Sequence, residues 1–204
     1  MQSAKVHFEQ NIIRVKNLGA IYASINLQTT PILDLSDILR AQYVMLVSAL
    51  DHFIHELVRF GMLEIYNENR RATKEFKEFI FSTDKNILFS KAIMEEKSDI
   101  WLNHQIRHRN GFKSFQEADK IKEAMLLIIE VDIWKEVASI LGEDVRQIKR
   151  RLNLIIDRRN QISHEADIEP TYQELRTIYI DDVKDSILFI ESLVEVIFNF
   201  CNEV

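Results

Sequence analysis

ILRAQYVMLVSALDHFIHELV, residues 38–58, decides the architecture. Between Tyr43 and Ile54 it is apolar on nearly every side of a helical wheel. A helix of that kind is buried on several faces and lies at the centre of a fold. Its apolar run stops at Asp51, short of the roughly 18 residues a membrane helix requires. Asp34 and Ser36, just upstream, are good helix N-caps, so this helix is expected to start there and run to about Asn67.

The rest of the chain supplies partners for it. Apolar periodicity and breakers predict a first helix over about Ala4–Asn26, closed by the Thr29-Thr30-Pro31 break. A short helix is expected at about Ala72–Phe81 and a longer one at about Lys85–Arg109, with Gly111 as a turn. Ser114 and Glu117 have capping-box spacing and predict a helix over FQEADKIKEAMLLII, residues 115–129. A segment at about Trp134–Leu141 closes at Gly142, a natural C-cap. Further helices are expected at about Glu143–Glu165 and Asp181–Asn202. The last carries the stripe Val183, Ile187, Ile190, Val194 and Ile197.

Among 204 residues there are only 4 glycines and 2 prolines, so turns and breakers are few. The expected fold is all-α: an up-and-down bundle of about seven helices with no sheet. It is read as a single domain over residues 1–204, with a short helical insertion at about 70–110.

The formal net charge of −6 argues against a generally basic nucleic-acid coat protein. The single cysteine, Cys201, fits a reducing, cytoplasmic setting and reads as a core thiol. MQSAKVHFEQNIIR, residues 1–14, does not have the pattern of a signal peptide.

Chemistry concentrates where the seventh of these helices ends. Val145, Ile148, Leu152 and Ile155 make an apolar seam whose next members are Arg159 and Ile162. A guanidinium in a seam needs a carboxylate, a partner subunit or an anionic ligand, because it cannot shed its charge. Asn160 and His164, four apart, share one edge of the helix. Arg159 and His164 are five apart, about 140 degrees round an ideal helix. They converge only if the helix deforms, if the arginine reaches round, or if two copies meet across a two-fold axis.

An Arg, Asn and His set of this kind can cleave RNA without metal. Histidine takes the 2′-hydroxyl proton and arginine stabilises the phosphate charge. Arg146, Lys149, Arg150, Arg151 and Arg158 add positive charge that can guide a polyanion. The plainer alternative is a solvated, basic helix end that complements the helix dipole.

Three blocks together resemble one family. Arg159-Asn160-Gln161-Ile162-Ser163-His164 matches the RNxxxH form of the HEPN signature. Residues 38–58 resemble the LRA…VSALD…H segment of the RiboL-PSP branch, and FKSFQEADKIKEAM, residues 112–125, resembles the segment that follows. RRNQISHEAD, residues 158–167, is close to that branch's RRNxIxHEAD block. The resemblance implies an all-α bundle that dimerises, with the two motifs facing each other in a composite site. It implies a metal-independent endoribonuclease without cofactor, in a toxin–antitoxin or antiviral setting with an antitoxin or defence-system partner. Arg159 and His164 would be its catalytic pair and Asn160 the polar residue between. Some members are non-catalytic scaffolds, so a helical dimerisation or nucleotide-binding module is the alternative.

Asp51 and His55 stand in the apolar middle of the central helix. Either they contact the motif from the neighbouring helix, or they pair internally and fix helix packing. His104 and His108 have i, i+4 spacing, but no carboxylate follows at ligand distance, and no metal is expected.

Overall fold

The computed structural model describes residues 1–28, 33–80 and 98–203. Among them are eight helices: α1 (Gln2–Asn26), α2 (Ser36–Tyr66), α3 (Lys74–Ile80), α4 (Ser98–Asn110), α5 (Ala118–Met125), α6 (Ile133–Leu141), α7 (Val145–His164) and α8 (Ile180–Glu203). The expected helix over Lys85–Arg109 lies outside the described residues up to position 97 and is present from Ser98.

α2 is the central element. Leu46, Leu50, Phe53, Ile54 and Leu57 are fully buried. Each such side chain stabilises the fold by about 1.5–3 kcal/mol relative to exposure. α1 runs antiparallel to α2: the Met1 amino group meets Glu64 at 3.1 Å, the Phe8 ring packs tilted against Phe53, and Gln42 Nε2 donates to the Val15 carbonyl. α8 runs parallel to α2, with Ser186 beside Tyr43 and the Cys201 carbonyl beside Arg70. The C-terminal end of α7 lies against the start of α2, so these two are antiparallel. The four long helices therefore alternate up and down, as the sequence predicts. The seam Ile148, Leu152 and Ile155 is buried, as is the whole α8 stripe from Val183 to Ile197.

Helix ends follow local chemistry. Asp132 and Asp144 cap α6 and α7 by accepting from the N–H groups of Trp134 and Arg146. Gly142 closes α6 at φ +67, a conformation that disfavours any Cβ. The capping box expected at Ser114 and Glu117 does not form. α5 starts later, at Ala118, without a side-chain cap, and stops at Met125. The apolar residues 126–129 pack as turns, and Ile128 and Ile129 are buried without being helical. Gly61 makes that approach possible, since a Cβ there would stand 2.7 Å from an Ile128 methyl.

A small sheet departs from the expected all-helical chain. β1 (Ile168–Glu169) and β2 (Glu174–Leu175) pair antiparallel, with Ile168 opposite Leu175 and Glu169 opposite Glu174. Two-residue strands carry no alternating pattern, so the sequence holds no periodic trace of them. Glu169 shapes the turn by accepting from the N–H groups of Thr171 and Tyr172.

Candidate active site

Arg159 occupies the seam position on α7, half-buried, between buried Ile155 and partly buried Ile162. The other arginines at least half-buried among the described residues each have partners. Arg40 and Arg158 bind Asp167, Arg59 binds Glu56, and Arg70 binds Glu64. Arg109 donates to the Phe79 carbonyl and Arg176 to that of Ile168. Arg159 has no ion pair or hydrogen bond among the described residues. It lines a cleft of about 330 Å³ with Val44, Ser48, Asp51, Ser114 and Gln116. A cationic group set among apolar neighbours and left open to a cleft is a ready anion site.

Asp51 reaches that cleft but is already engaged. Its Oδ1 accepts from the Phe115 N–H at 2.5 Å, and Oδ2 stands 3.8 Å from His55 Nε2. The His55 ring contacts the Lys113 carbonyl through Nε2 at 3.1 Å and packs on Phe115 at 4.3 Å between centroids. The pair thus pins residues 113–115 against α2. Asp51 shares the cleft with Arg159; His55 lines an adjoining one instead.

Asn160 is half-buried and His164 is exposed. α7 stays α-helical through His164, and the Glu165 N–H bonds the Gln161 carbonyl at 3.1 Å. The helix does not deform to bring Arg159 and His164 together. Five residues of regular helix separate them by about 140 degrees and roughly 7.5 Å of rise.

Residues 9–203, nearly the whole chain, match the family RiboL-PSP-HEPN. The chain belongs to the RiboL-PSP-HEPN family. HEPN domains commonly dimerise and bind RNA. No curated protein and no solved structure gave a match in the same comparisons.

The HEPN motif is held in place by a residue to which the sequence reading gave no role. Asp167, 1% exposed, accepts from Arg40 Nε at 2.6 Å and from both terminal nitrogens of Arg158, that to Oδ2 at 2.9 Å. Ala166 and Asp167 both adopt left-handed backbone, at φ 51 and 58. This doubles the chain back, and the Asp167 N–H bonds the Gln161 carbonyl at 2.9 Å. Two consecutive non-glycine residues in that region are costly and persist only where surroundings enforce them. Arg158, read from the sequence as part of the positive charge that guides a polyanion, is thus a clamp that fixes the end of α7 to α2. The available signal was an unmatched charge at each end: Arg40 beside buried Leu39, and Asp167 closing the motif block.

The basic residues of α7 do not gather round the HEPN motif. The Arg146 side chain is 94% exposed and 3.6 Å from Asp144. Lys149 bonds Asp119 at 2.8 Å, and that partner holds the Asp119 carboxyl below its usual value. Arg151 stacks over Phe189 at 4.5 Å and lines a separate cleft with Arg158. Arg150 is exposed.

Other candidates stay apart from the HEPN site. His104 and His108 are exposed on α4, and among the described residues no group of three His, Cys, Asp or Glu side chains could hold a metal. Cys201 is fully buried in the core, and burial pushes its thiol up to about 12. No helix among the described residues is long and apolar enough to cross a membrane.

Proposed function

We propose that the protein is a metal-independent endoribonuclease acting as a homodimer with a composite site. The observation that carries this reading is half-buried Arg159, unpartnered among the described residues and open to a cleft, with His164 exposed at the end of the same regular helix. Their angular separation favours a site in which Arg159 of one copy works with His164 of the other.

In that site His164 removes the proton from a ribose 2′-hydroxyl. The resulting oxygen attacks the adjacent phosphorus, the bond to the 5′-oxygen breaks, and that leaving oxygen takes a proton from the now protonated His164 or from water. The products are a 2′,3′-cyclic phosphate and a 5′-hydroxyl. Arg159 stabilises the extra negative charge in the transition state. Asn160, one helical turn before His164, orients the histidine or the phosphate. The setting proposed is a toxin–antitoxin or antiviral system with a silencing partner protein. Membership in the family supports it.

A second reading is a non-catalytic dimerisation or nucleotide-binding module. The exposure of His164, which has no orienting hydrogen bond among the described residues, favours it. Incubation of the pure protein with total RNA in EDTA separates the two. Cleavage that vanishes in both Arg159→Ala and His164→Ala supports the ribonuclease. RNA left equally intact by wild type and variants leaves the module.

A further inference from the structure

Three clefts meet at one residue of α2. Ser48 lines the Arg159 cleft, a second of about 370 Å³ and a third of about 390 Å³. Together they form a groove along the exposed edge of α2, bordered by α1, α4, residues 111–116 and Arg159 of α7. Asp51 is shared by the first two and His52 by the last two. Each cleft is near the lower end of ligand-pocket size, about 300 Å³ upward.

The groove is basic in an acidic protein. Arg14, Arg59, Arg107, Lys113 and Arg159 line it against two carboxylates, Asp51 and Glu56. Both carboxylates are engaged. Glu56 bonds Arg59 at 2.5 Å with Arg107 at 3.4 Å, and Asp51 holds the Phe115 N–H. The other clefts differ. The one at Arg151 and Arg158 balances two arginines with Asp182 and Asp185, and the one beside α5 has more acidic groups than basic.

An aromatic ring stands at the groove's rim. Phe112 is 92% exposed, and its neighbours Gly111 and Lys113 both line the groove. A large apolar ring held in water beside a basic track is how sequence-tolerant proteins hold single strands: cations follow the phosphates and the ring stacks on a base.

We infer that this groove is the path of single-stranded RNA leading to the Arg159 cleft, with Arg14 and Lys113 on the phosphate backbone and Phe112 stacked on a base. The inference rests on the ribonuclease reading for the direction of the path, and it moves RNA contact from the basic face of α7 to the edge of α2. Arg107 and Arg59 are committed to Glu56, whereas Arg14, held only by a 3.4 Å hydrogen bond to Asn11, and Lys113, with no side-chain ion pair among the described residues, can move with a ligand toward Arg159.

The test uses the full chain carrying His164→Ala, so that cleavage does not consume the probe. A fluorescein-labelled single-stranded RNA oligonucleotide is titrated by anisotropy at several salt concentrations. Phe112→Ala is expected to weaken binding about tenfold, and Phe112→Trp to retain it. Arg14→Gln with Lys113→Gln lowers the salt slope by roughly 0.7 per lost contact. Arg146→Gln with Arg150→Gln leaves affinity and slope unchanged. All these positions are exposed, so equal thermal unfolding is expected throughout. Unchanged binding in the groove variants overturns the inference, as does a loss confined to the α7 pair. Dissociation of a dimer by the groove variants in sedimentation also overturns it, making the edge an interface between copies. A wild-type chain that binds RNA through the groove yet never cleaves it removes the ribonuclease reading alone and leaves the groove supported.

Discussion

Arg40 Nε donates to Asp167 Oδ2 at 2.6 Å, tying the loop after α7 to the start of α2 across 127 residues of sequence. Arg158 holds the same carboxylate from α7, so one buried anion serves two cations. Asp167→Ala leaves Arg158 with no acidic partner among the described residues and Arg40 with Asp37 alone, at 3.3 Å, and is expected to cost about 3–5 kcal/mol. Arg158→Met added to it should recover part of that loss. Denaturant unfolding measures both; a loss below about 1 kcal/mol for Asp167→Ala would show that the clamp carries little.

Backbone handedness gives two changes of opposite sign. Gly142 sits at φ +67 with nothing within 4 Å of an added Cβ, so Gly142→Ala costs only the left-handed strain, about 1–2 kcal/mol. Ala166, at φ 51, already bears that strain, and Ala166→Gly is expected to gain about 0.5 kcal/mol after the entropy cost of glycine. Thermal unfolding of the two variants should move in opposite directions.

Glu56 sets an acid dependence. Burial raises its pKa, but the hydrogen bond and charge of Arg59, with Arg107 and His52, outweigh burial and leave it lowered. A group whose folded value is depressed stabilises the fold above its unfolded value and loses that contribution as pH falls through the folded one. Glu56→Gln should therefore be less stable than wild type by about 2 kcal/mol at neutral pH. The gap should close as pH drops below the ordinary glutamate value of 4.5. A gap that persists unchanged in acid would contradict the ion-pair account.

Cys201 is a probe of core opening. With its thiol raised to about 12 by burial, it stays protonated and shielded at neutral and mildly alkaline pH. Alkylation by iodoacetamide should be negligible in the native protein and follow unfolding in denaturant. Rapid labelling of the native state would place the thiol at the surface.

The helices with strong periodicity were legible because burial imposes the period. Leu46 to Leu57 on α2 and Val183 to Ile197 on α8 are buried as their spacing requires. The end of α5 was not legible. Ile128 and Ile129 are apolar because they meet α2 at Gly61, and burial there needs no helix. The Ser114 and Glu117 spacing misled: Asp51, far away in sequence, holds the Phe115 N–H, and the helix begins only at Ala118. The seam position of Arg159 pointed to a missing partner, and no pair or hydrogen bond meets it among the described residues. Asp167 and Arg40 stayed hidden because their pairing spans the chain and rests on a backbone reversal no local pattern encodes. The basic run on α7 read as one patch because spacing does not reveal that Asp119 and Phe189 each take a member.

The composite site is tested most directly by mixing two inactive chains. Arg159→Ala and His164→Ala are purified separately, unfolded and refolded together so that dimers form at random, and assayed on RNA in EDTA. If each site takes Arg159 from one copy and His164 from the other, half the dimers are mixed and each has one intact site. The mixture is then expected to regain about one quarter of wild-type cleavage. A mixture as inactive as its parents, with mixed dimers shown to be present by mass spectrometry, would contradict the account.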